Sequence, residues 1–222
     1  MAGPPGLPGK KMNTSIELLE AYLRAKDLNR PPAILECFAP GATLTYSIAT
    51  DTISFPAKVQ GADAIAKTLV GDFGKKFGQC KTYYVCDSID DRSLQIDFLP
   101  WLVIMREISN SALRLGKGCY RWQFESDGQR LWVCAMYIHI ERMDVIEDRD
   151  GKILHALQAA LPYPWLRPAM LLEKFERLMK STPGLAFLDM FKAPFQKSKP
   201  SGAANAPGKT TAERSGGASA QS

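Results

Sequence analysis

Two runs of alternating large and polar residues, Leu115 to Phe124 and Leu131 to Glu141, stand out in the hydrophobic pattern of the chain. Both are rich in Tyr, Trp, Val and Ile, which favour strands, and the turn Ser126-Asp127-Gly128 separates them. An Asp-Gly turn between alternating runs is a strong short-range indication of a β-hairpin. The pattern therefore predicts two long antiparallel strands.

Alternation also assigns side chains to faces, because neighbouring residues of a strand point to opposite sides of the sheet. Tyr120, Trp122 and Phe124 share one face of the first strand, and Tyr137 and His139 share one face of the second. Aromatic side chains with polar tips suit the wall of a cavity that binds a small molecule. We expect the two groups to line one cavity.

Three segments before this hairpin have helical spacing. Ser15 to Lys26 places its apolar residues on one stripe and follows residues that can cap a helix. Pro31-Pro32 ends this helix and starts a short second one, which runs through Phe38 and stops at Pro40-Gly41. Gly61 to Phe77 is predicted as the third helix.

Further strands are predicted from runs rich in β-branched and aromatic residues. They are Thr43 to Ile48, Thr52 to Val59, Lys81 to Ile89 and Trp101 to Ile108. The resulting order is helix, helix, hairpin, helix and antiparallel meander. Helices gathered on one side of such a sheet define an α+β domain, and a strongly curved sheet leaves a hollow.

The ends of the chain differ in composition from this domain. After Met143 the pattern predicts a helical C-terminal extension, residues 144–196, with a helix opened by Pro168. The lead, residues 1–12, and the tail, residues 197–222, are too poor in apolar groups to fold and are predicted to be disordered. The central domain then spans residues 13–143.

The formal net charge of +5 comes from the two ends, because basic residues exceed acidic ones only in residues 1–11 and 197–222. The body of the chain is neutral, so it offers no folded basic face and we expect no nucleic-acid partner. The five cysteines form no CxxC pair, which fits a cytoplasmic protein. No apolar run approaches the roughly 20 residues of a membrane span.

No cofactor is expected from the motifs of the chain. Fifteen residues separate the two histidines and the cysteines are scattered, so they form no closed set of metal ligands. The one Gly-x-Gly segment, Gly116 to Gly118, lies inside a predicted strand and does not precede a helix, as a phosphate-binding loop would.

Two segments resemble the NTF2-like superfamily, particularly its SnoaL-like and ketosteroid isomerase branches. They are Phe38-Ala39-Pro40-Gly41-Ala42-Thr43-Leu44 after two short helices, and Gly118-Cys119-Tyr120-Arg121-Trp122-Gln123-Phe124 before Asp127-Gly128. The resemblance covers roughly residues 14 to 143. It implies an α+β cone, with three helices packed on the curved sheet, whose mouth admits a small apolar molecule. It also implies a homodimer that forms through the sheet.

In ketosteroid isomerase an Asp base moves a proton while a Tyr and a protonated Asp hold the oxyanion. Aligned with that pattern, Tyr22 falls at the oxyanion tyrosine, Tyr46 at the base and Tyr120 at the protonated acid. A phenol has a reference pKa of about 10, which is too high for an efficient base near neutral pH. Steroid isomerisation by that mechanism is therefore not expected.

The candidate catalytic residues are Tyr22, Tyr46 and His139. His139 is the sharpest of them, since imidazole can act as an acid or base near pH 7. A lone histidine near a sheet edge is more often a satisfied structural residue. The tyrosines are open to a second interpretation as well, because a buried phenol normally finds a backbone partner.

Five more residues are predicted to line the ligand site: Asp51, Trp101, Tyr120, Trp122 and Tyr137. Asp51 has the alternative role of a turn residue. The leading hypothesis is a domain that binds a small apolar molecule and suits cofactor-free isomerase, cyclase or dehydratase chemistry on a steroid- or polyketide-like substrate. The competing hypothesis is a noncatalytic interaction or dimerisation module, whose cone would be filled by Trp101, Trp122 and Met136.

Overall fold

The computed structural model describes residues 12–197. The predicted disordered lead and tail therefore lie outside the described residues, apart from their innermost members, Met12 and Lys197. Met12 is buried, and its carbonyl accepts a hydrogen bond from Leu131 N at 2.8 Å.

The predicted helices are present with corrected ends. Helix α1 (Ser15–Asp27) begins where Thr14 accepts a hydrogen bond from Glu17 N, at 3.2 Å. Helix α2 (Pro31–Leu35) does not continue through Phe38, because Phe38 enters the first strand. Helix α3 (Ala62–Ala66) continues as a π-helical segment (Lys67–Asp72) and ends before Phe77.

Seven strands form one sheet in the order β2-β1-β6-β5-β4-β3-β7. They are β1 (Phe38–Ile48), β2 (Lys58–Gln60), β3 (Phe77–Val85), β4 (Gln95–Glu107), β5 (Leu113–Ser126), β6 (Leu131–Ile146) and β7 (Trp165–Leu166). The predicted hairpin is confirmed as β5 and β6, which are antiparallel with Ser126 opposite Leu131. Strand β1 runs parallel to β6 and closes the meander.

The predictions of the first four strands were wrong in extent, since β1 begins at Phe38 rather than Thr43 and β4 begins at Gln95 rather than Trp101. The strand predicted from Thr52 to Val59 is only the three residues of β2, and Pro56 lies in the loop before it, where its missing N–H is not needed for a ladder. The strand predicted from Lys81 to Ile89 starts four residues earlier, at Phe77, and ends at Val85.

Bulges bend this sheet around the helices. The pairing register shifts between β3 and β4, between β4 and β5, and twice between β5 and β6. Each bulge increases the local twist, so the sheet curves and its concave face wraps the apolar stripe of α1. The architecture is the α+β cone that the sequence predicts, with three helices packed on a strongly curved sheet.

The C-terminal extension packs on the opposite, outer face of the sheet. It contains α4 (Lys152–Ala160), α5 (Pro168–Ser181) and a 3-10 segment (Ala186–Phe191). A second hydrophobic core joins it to the outward side chains of β3, β4 and β5. Its buried members include Tyr83, Leu102, Ile104, Leu113, Leu115, Leu154, Leu157, Leu171, Phe175, Leu188 and Phe191.

This packing bears on the predicted homodimer. The extension covers the outer side of β3, β4 and β5 with its own leucines and phenylalanines, so a second copy has no access to that area. Pairing through the sheet stays a prediction for the remaining outer surface on β6 and β1. Within residues 12–197 no helix is long and apolar enough to span a bilayer. All five cysteines are free thiols.

Two adjacent leucines of α5 test how far the extension contributes to folding. Leu171 is 2% exposed in the outer core, whereas Leu172 is 39% exposed. We expect Leu171→Ala to lower the free energy of unfolding by about 2–5 kcal/mol, and Leu172→Ala to lower it by less than about 1 kcal/mol. Urea unfolding of both variants measures this, and equal losses would show that the extension is only loosely docked.

Candidate functional site

A cavity remains between α1, the concave face of the sheet and the π-helical segment. Its volume is about 60 Å³. At roughly 15 Å³ for each water-sized group, it holds about four such groups. Its wall is apolar except for six side chains with polar atoms: Tyr22, Lys26, Tyr46, Thr82, Trp101 and Tyr120.

Three phenols share this wall, as the sequence predicts. The rings of Tyr22 and Tyr120 meet edge to face with centroids 6.3 Å apart. The buried hydroxyl of Tyr46 makes no hydrogen bond within residues 12–197, and that of Tyr22 has no partner there beyond a side-chain contact with Tyr120. Burial raises the pKa of all three phenols well above the usual value, so each is a neutral hydrogen-bond donor at neutral pH.

A lysine completes the polar part of the wall. Lys26 is 7% exposed, and its Nζ donates to Asp27 Oδ1 at 2.6 Å and to Thr82 Oγ1 at 2.7 Å. Its third contact is a long one, 3.6 Å to Cys80 Sγ. The ring of Phe73 lies 5.4 Å from the ammonium nitrogen. Of the three contacts of Lys26 Nζ, the long one to Cys80 Sγ is the weakest. It is therefore the contact that an entering ligand oxygen would replace with the least loss of hydrogen-bond energy.

The charge of Lys26 survives its burial. Burial alone lowers the pKa of a lysine, but the Asp27 carboxylate, together with Cys80 and Tyr120, outweighs this effect and raises the pKa. Burial likewise raises the pKa of the Cys80 thiol to about 12, so it is not a nucleophile at neutral pH. The cavity therefore contains a permanent cation beside neutral donors.

The sequence analysis missed Lys26 and Asp27. A basic residue in the last turn of a helix is normally solvated and complements the helix dipole. Lys26, however, lies four residues after Tyr22 and therefore on the same face of α1. The four-residue spacing from Tyr22, a predicted site residue, is the feature of the sequence that could have identified Lys26.

Trp101 lines the cavity as predicted, whereas Trp122 lies beside it. The Trp122 ring is fully buried and packs edge to face on Tyr22 with centroids 5.0 Å apart. Met136, opposite Trp122 on β6, is buried as well. These two side chains fill the part of the cone next to the cavity, so the cavity occupies only a part of the interior of the cone.

The prediction that Tyr137 and His139 share this cavity was wrong. Tyr120 pairs with Ile138 in the hairpin, so the residues of β6 on the concave side are Ile138 and Ile140. Tyr137 and His139 alternate with them and point to the outer face. The grouping of side chains by face within each strand was correct. The register between the two strands, however, decides which face of β6 lies on the same side of the sheet as Tyr120.

His139 lines a separate groove on the outer face, together with Asp51 and Glu141. His139 is 7% exposed, and its Nδ1 has no hydrogen-bond partner within the described chain. Burial lowers its pKa, although Glu141 acts in the opposite direction. Asp51 is exposed in the loop after β1. Neither residue reaches the cavity.

The cavity wall lacks a proton acceptor. None of its described lining residues is a carboxylate or an imidazole. Residues 12–197 also contain no group of three His, Cys, Asp or Glu side chains that could hold a metal ion. The wall is thus an assembly of hydrogen-bond donors around one cation.

A larger vestibule adjoins the cavity at the mouth of the cone. Its volume is about 510 Å³, and it shares Ile53, Phe55 and Phe73 with the inner wall. Phe55 stacks on Tyr46 with a centroid distance of 4.8 Å and an interplanar angle of 3°. These shared side chains separate the two spaces, so their displacement would join them.

No protein-family model matches this sequence, and no curated protein matches it either. Solved structures do. A protein of Novosphingobium aromaticivorans provisionally named scytalone dehydratase is 18% identical, with a TM-score of 0.47 over 60% of this chain and 86% of its own. A hexachlorocyclohexane dehydrochlorinase of Novosphingobium barchaimii is 8% identical, with a TM-score of 0.48 over 59% and 86%.

A ketosteroid isomerase-like protein of Erwinia carotovora atroseptica is 12% identical, with a TM-score of 0.45 over 57% of this chain and 93% of its own. The likeness to these structures is one of fold. At such identities it says nothing about the reaction, so the site must be judged by its own residues.

The ion pair in the cavity wall predicts how stability depends on pH. Because the folded pKa of Lys26 exceeds the unfolded value of about 10.4, its stabilisation is complete below that pH and is lost as pH rises beyond it. Lys26→Gln removes this contribution and leaves Asp27 without a cation, which we expect to cost about 3 kcal/mol near neutral pH.

Urea unfolding of the wild type and Lys26→Gln at a series of pH values measures the difference directly. The gap between the two free energies of unfolding should be constant from neutral pH to about pH 10 and should narrow above it. A gap that does not narrow above about pH 10, or one that is negligible throughout, would show that Lys26 is not held as a buried cation.

Proposed function

We propose that this protein binds a small, mostly apolar molecule that carries one anionic or carbonyl oxygen. The observation that carries the proposal is Lys26, a buried lysine that lines an otherwise mostly apolar cavity. A buried charge is costly to maintain, and a structural core gains nothing from placing one beside an empty space. A ligand oxygen at this position would accept a charge-assisted hydrogen bond from the Lys26 ammonium.

The hydroxyls of Tyr22 and Tyr46 support the same proposal. A buried polar group without a partner costs about 1–3 kcal/mol, and these two share one cavity. An oxygen atom near Lys26 would offer an acceptor to phenolic donors as well. The remaining wall, including Ile138, Ile140 and Met143, would contact the apolar part of the ligand.

The same geometry narrows the chemistry that the cavity supports. Lys26 and the three phenols can stabilise an oxyanion, as the donors of an oxyanion hole do. They cannot remove a proton at neutral pH, because the phenols are neutral and the ammonium is already protonated. We therefore propose binding as the primary role. Isomerase, cyclase or dehydratase activity would need a substrate that supplies its own base.

The alternative of a noncatalytic interaction module is supported by the filled part of the cone. Trp122 and Met136 occupy the space next to the cavity, as that hypothesis expects. The cavity, the buried Lys26 and the unpaired hydroxyls favour ligand binding over it. The predicted cytoplasmic location remains a prediction.

Binding can be observed from inside the cavity. Met105 and Met143 line its wall, whereas Met190 is 51% exposed and serves as an internal reference. We expect sodium acetate to shift the NMR signals of the 13C-labelled methyl groups of Met105 and Met143 saturably, at roughly millimolar concentration for a ligand of about four heavy atoms. Acetamide, its neutral isostere, should bind about tenfold more weakly.

Lys26→Gln is the matched variant, because its amide can still donate to Asp27 while the charge is gone. The preference for acetate over acetamide should disappear in this variant. The proposal would be refuted if the wild type showed no saturable shifts. It would also be refuted if Lys26→Gln kept the same preference for acetate over acetamide.

Ring-sized ligands would have to pass Phe55. Phe55→Ala should join the cavity to the vestibule, so that phenylacetate binds about tenfold more tightly than it does to the wild type. The shifts of the Met105 and Met143 methyl signals again report the affinity. Phe187→Ala, which truncates a partly buried ring of the extension, is the control and should leave the affinity unchanged. Equal affinities in all three proteins would show that Phe55 does not separate the two spaces.

A further inference from the structure

The C-terminal extension contacts the ligand-binding side of the cone at one place. The connector between α4 and α5, residues 161–167, passes the edge of the sheet and reaches α1. Tyr163 Oη donates to Asp27 Oδ2 at 3.1 Å, and Trp165 Nε1 donates to Glu20 Oε1 at 2.8 Å. Glu20 and Asp27 are seven residues apart, so two turns of one face of α1 are held.

The same connector is fixed to the sheet. Trp165 and Leu166 form β7, which pairs in parallel with β3, and Tyr84 N donates to Pro164 O at 2.9 Å. The rings of Tyr84 and Trp165 lie 4.9 Å apart. The connector is therefore held in place by β3, and its hydrogen bonds to Glu20 and Asp27 fix α1 relative to that strand.

Asp27 is the point at which these contacts converge. Its Oδ1 accepts from Lys26 Nζ at 2.6 Å and from Thr82 Oγ1 at 3.1 Å. Its Oδ2 accepts from Thr82 N at 2.7 Å as well as from Tyr163. Both carboxylate oxygens are thus held by β3 and the connector, and the carboxylate has one orientation towards Lys26.

We propose that Asp27 and Tyr163 are positioning residues that fix the Lys26 ammonium at the cavity wall, so that the extension forms part of the ligand site. This inference rests on the proposed function. A free lysine side chain has many rotamers and would lose that freedom when it binds an anion. Asp27 and Thr82 remove the freedom in advance, which makes the site preorganised. Tyr163 acts on the ligand only through Asp27.

Tyr163→Phe tests the contribution of the connector. It removes the hydroxyl that reaches Asp27 and keeps the ring, which packs edge to face on Tyr83 with centroids 5.8 Å apart. In the full chain we expect the affinity for acetate to fall about two- to tenfold, the range of one net hydrogen bond. The affinity for acetamide should stay the same.

Tyr83→Phe is the matched control, since the buried hydroxyl of Tyr83 makes no hydrogen bond within the described chain. It should leave both affinities unchanged. Urea unfolding of each variant shows whether the fold is retained, and the acetate-to-acetamide ratio separates positioning from a general loss of structure, which would weaken both ligands alike.

Asp27→Asn tests the role of the carboxylate itself, through the pH dependence of the affinity for acetate. The titratable groups around Lys26 are Asp27, Cys80, Tyr120 and Tyr46, with Tyr163 behind Asp27. Without the carboxylate, burial should dominate and lower the pKa of Lys26. Acetate affinity should then fall as pH rises from about 7 to about 9.5, whereas the wild type should show a flat profile.

The outcomes separate the inference from the proposed function. If Lys26→Gln retains the preference for acetate, the proposed function fails and the positioning roles fail with it. If Lys26→Gln abolishes the preference but Tyr163→Phe matches the wild type and Asp27→Asn has a flat profile, the positioning roles alone are overturned. Loss of acetate preference in Tyr163→Phe, with Tyr83→Phe unaffected, supports them.

Discussion

Burial of both faces of one curved sheet is the constraint on which the rest of the structure depends. On β5, inward Tyr120 and Trp122 meet α1, while outward Leu113 and Leu115 meet the extension. Successive residues in the middle of β4 and β5 are therefore buried, as in sheets covered on both sides. The extension is part of the fold in the same sense as α1, because its removal would expose an entire apolar layer.

Covering the outer face has a second consequence, which concerns charge. The connector that leads the extension along β3 also completes the hydrogen bonding of Asp27, next to Lys26. A buried ion pair is tolerated when its remaining donors and acceptors are satisfied, and here Thr82 satisfies both partners. The outer layer thus contributes to the electrostatics of the inner cavity.

The sequence predicted what depends on local pattern and failed where long-range pairing decides. The spacing of apolar residues and the Asp-Gly turn suffice for α1 and for the β5–β6 hairpin. Tyr22 was placed correctly because its helix face is fixed locally. His139 was misplaced because bulges set the hairpin register, and Lys26 was missed because only the packing of β3 against the end of α1 buries it.

Glycines of β5 explain why a cavity exists at all beneath so many large side chains. A β-carbon on Gly118 would collide with the backbone of His139 and lie 2.7 Å from the Trp101 ring, and one on Gly116 would collide with the side chain of Met143. Both glycines occupy inward positions, so Trp101 and Met143 can lie close to the sheet. Their side chains then form part of the cavity wall without filling its interior, and Lys26 completes the wall.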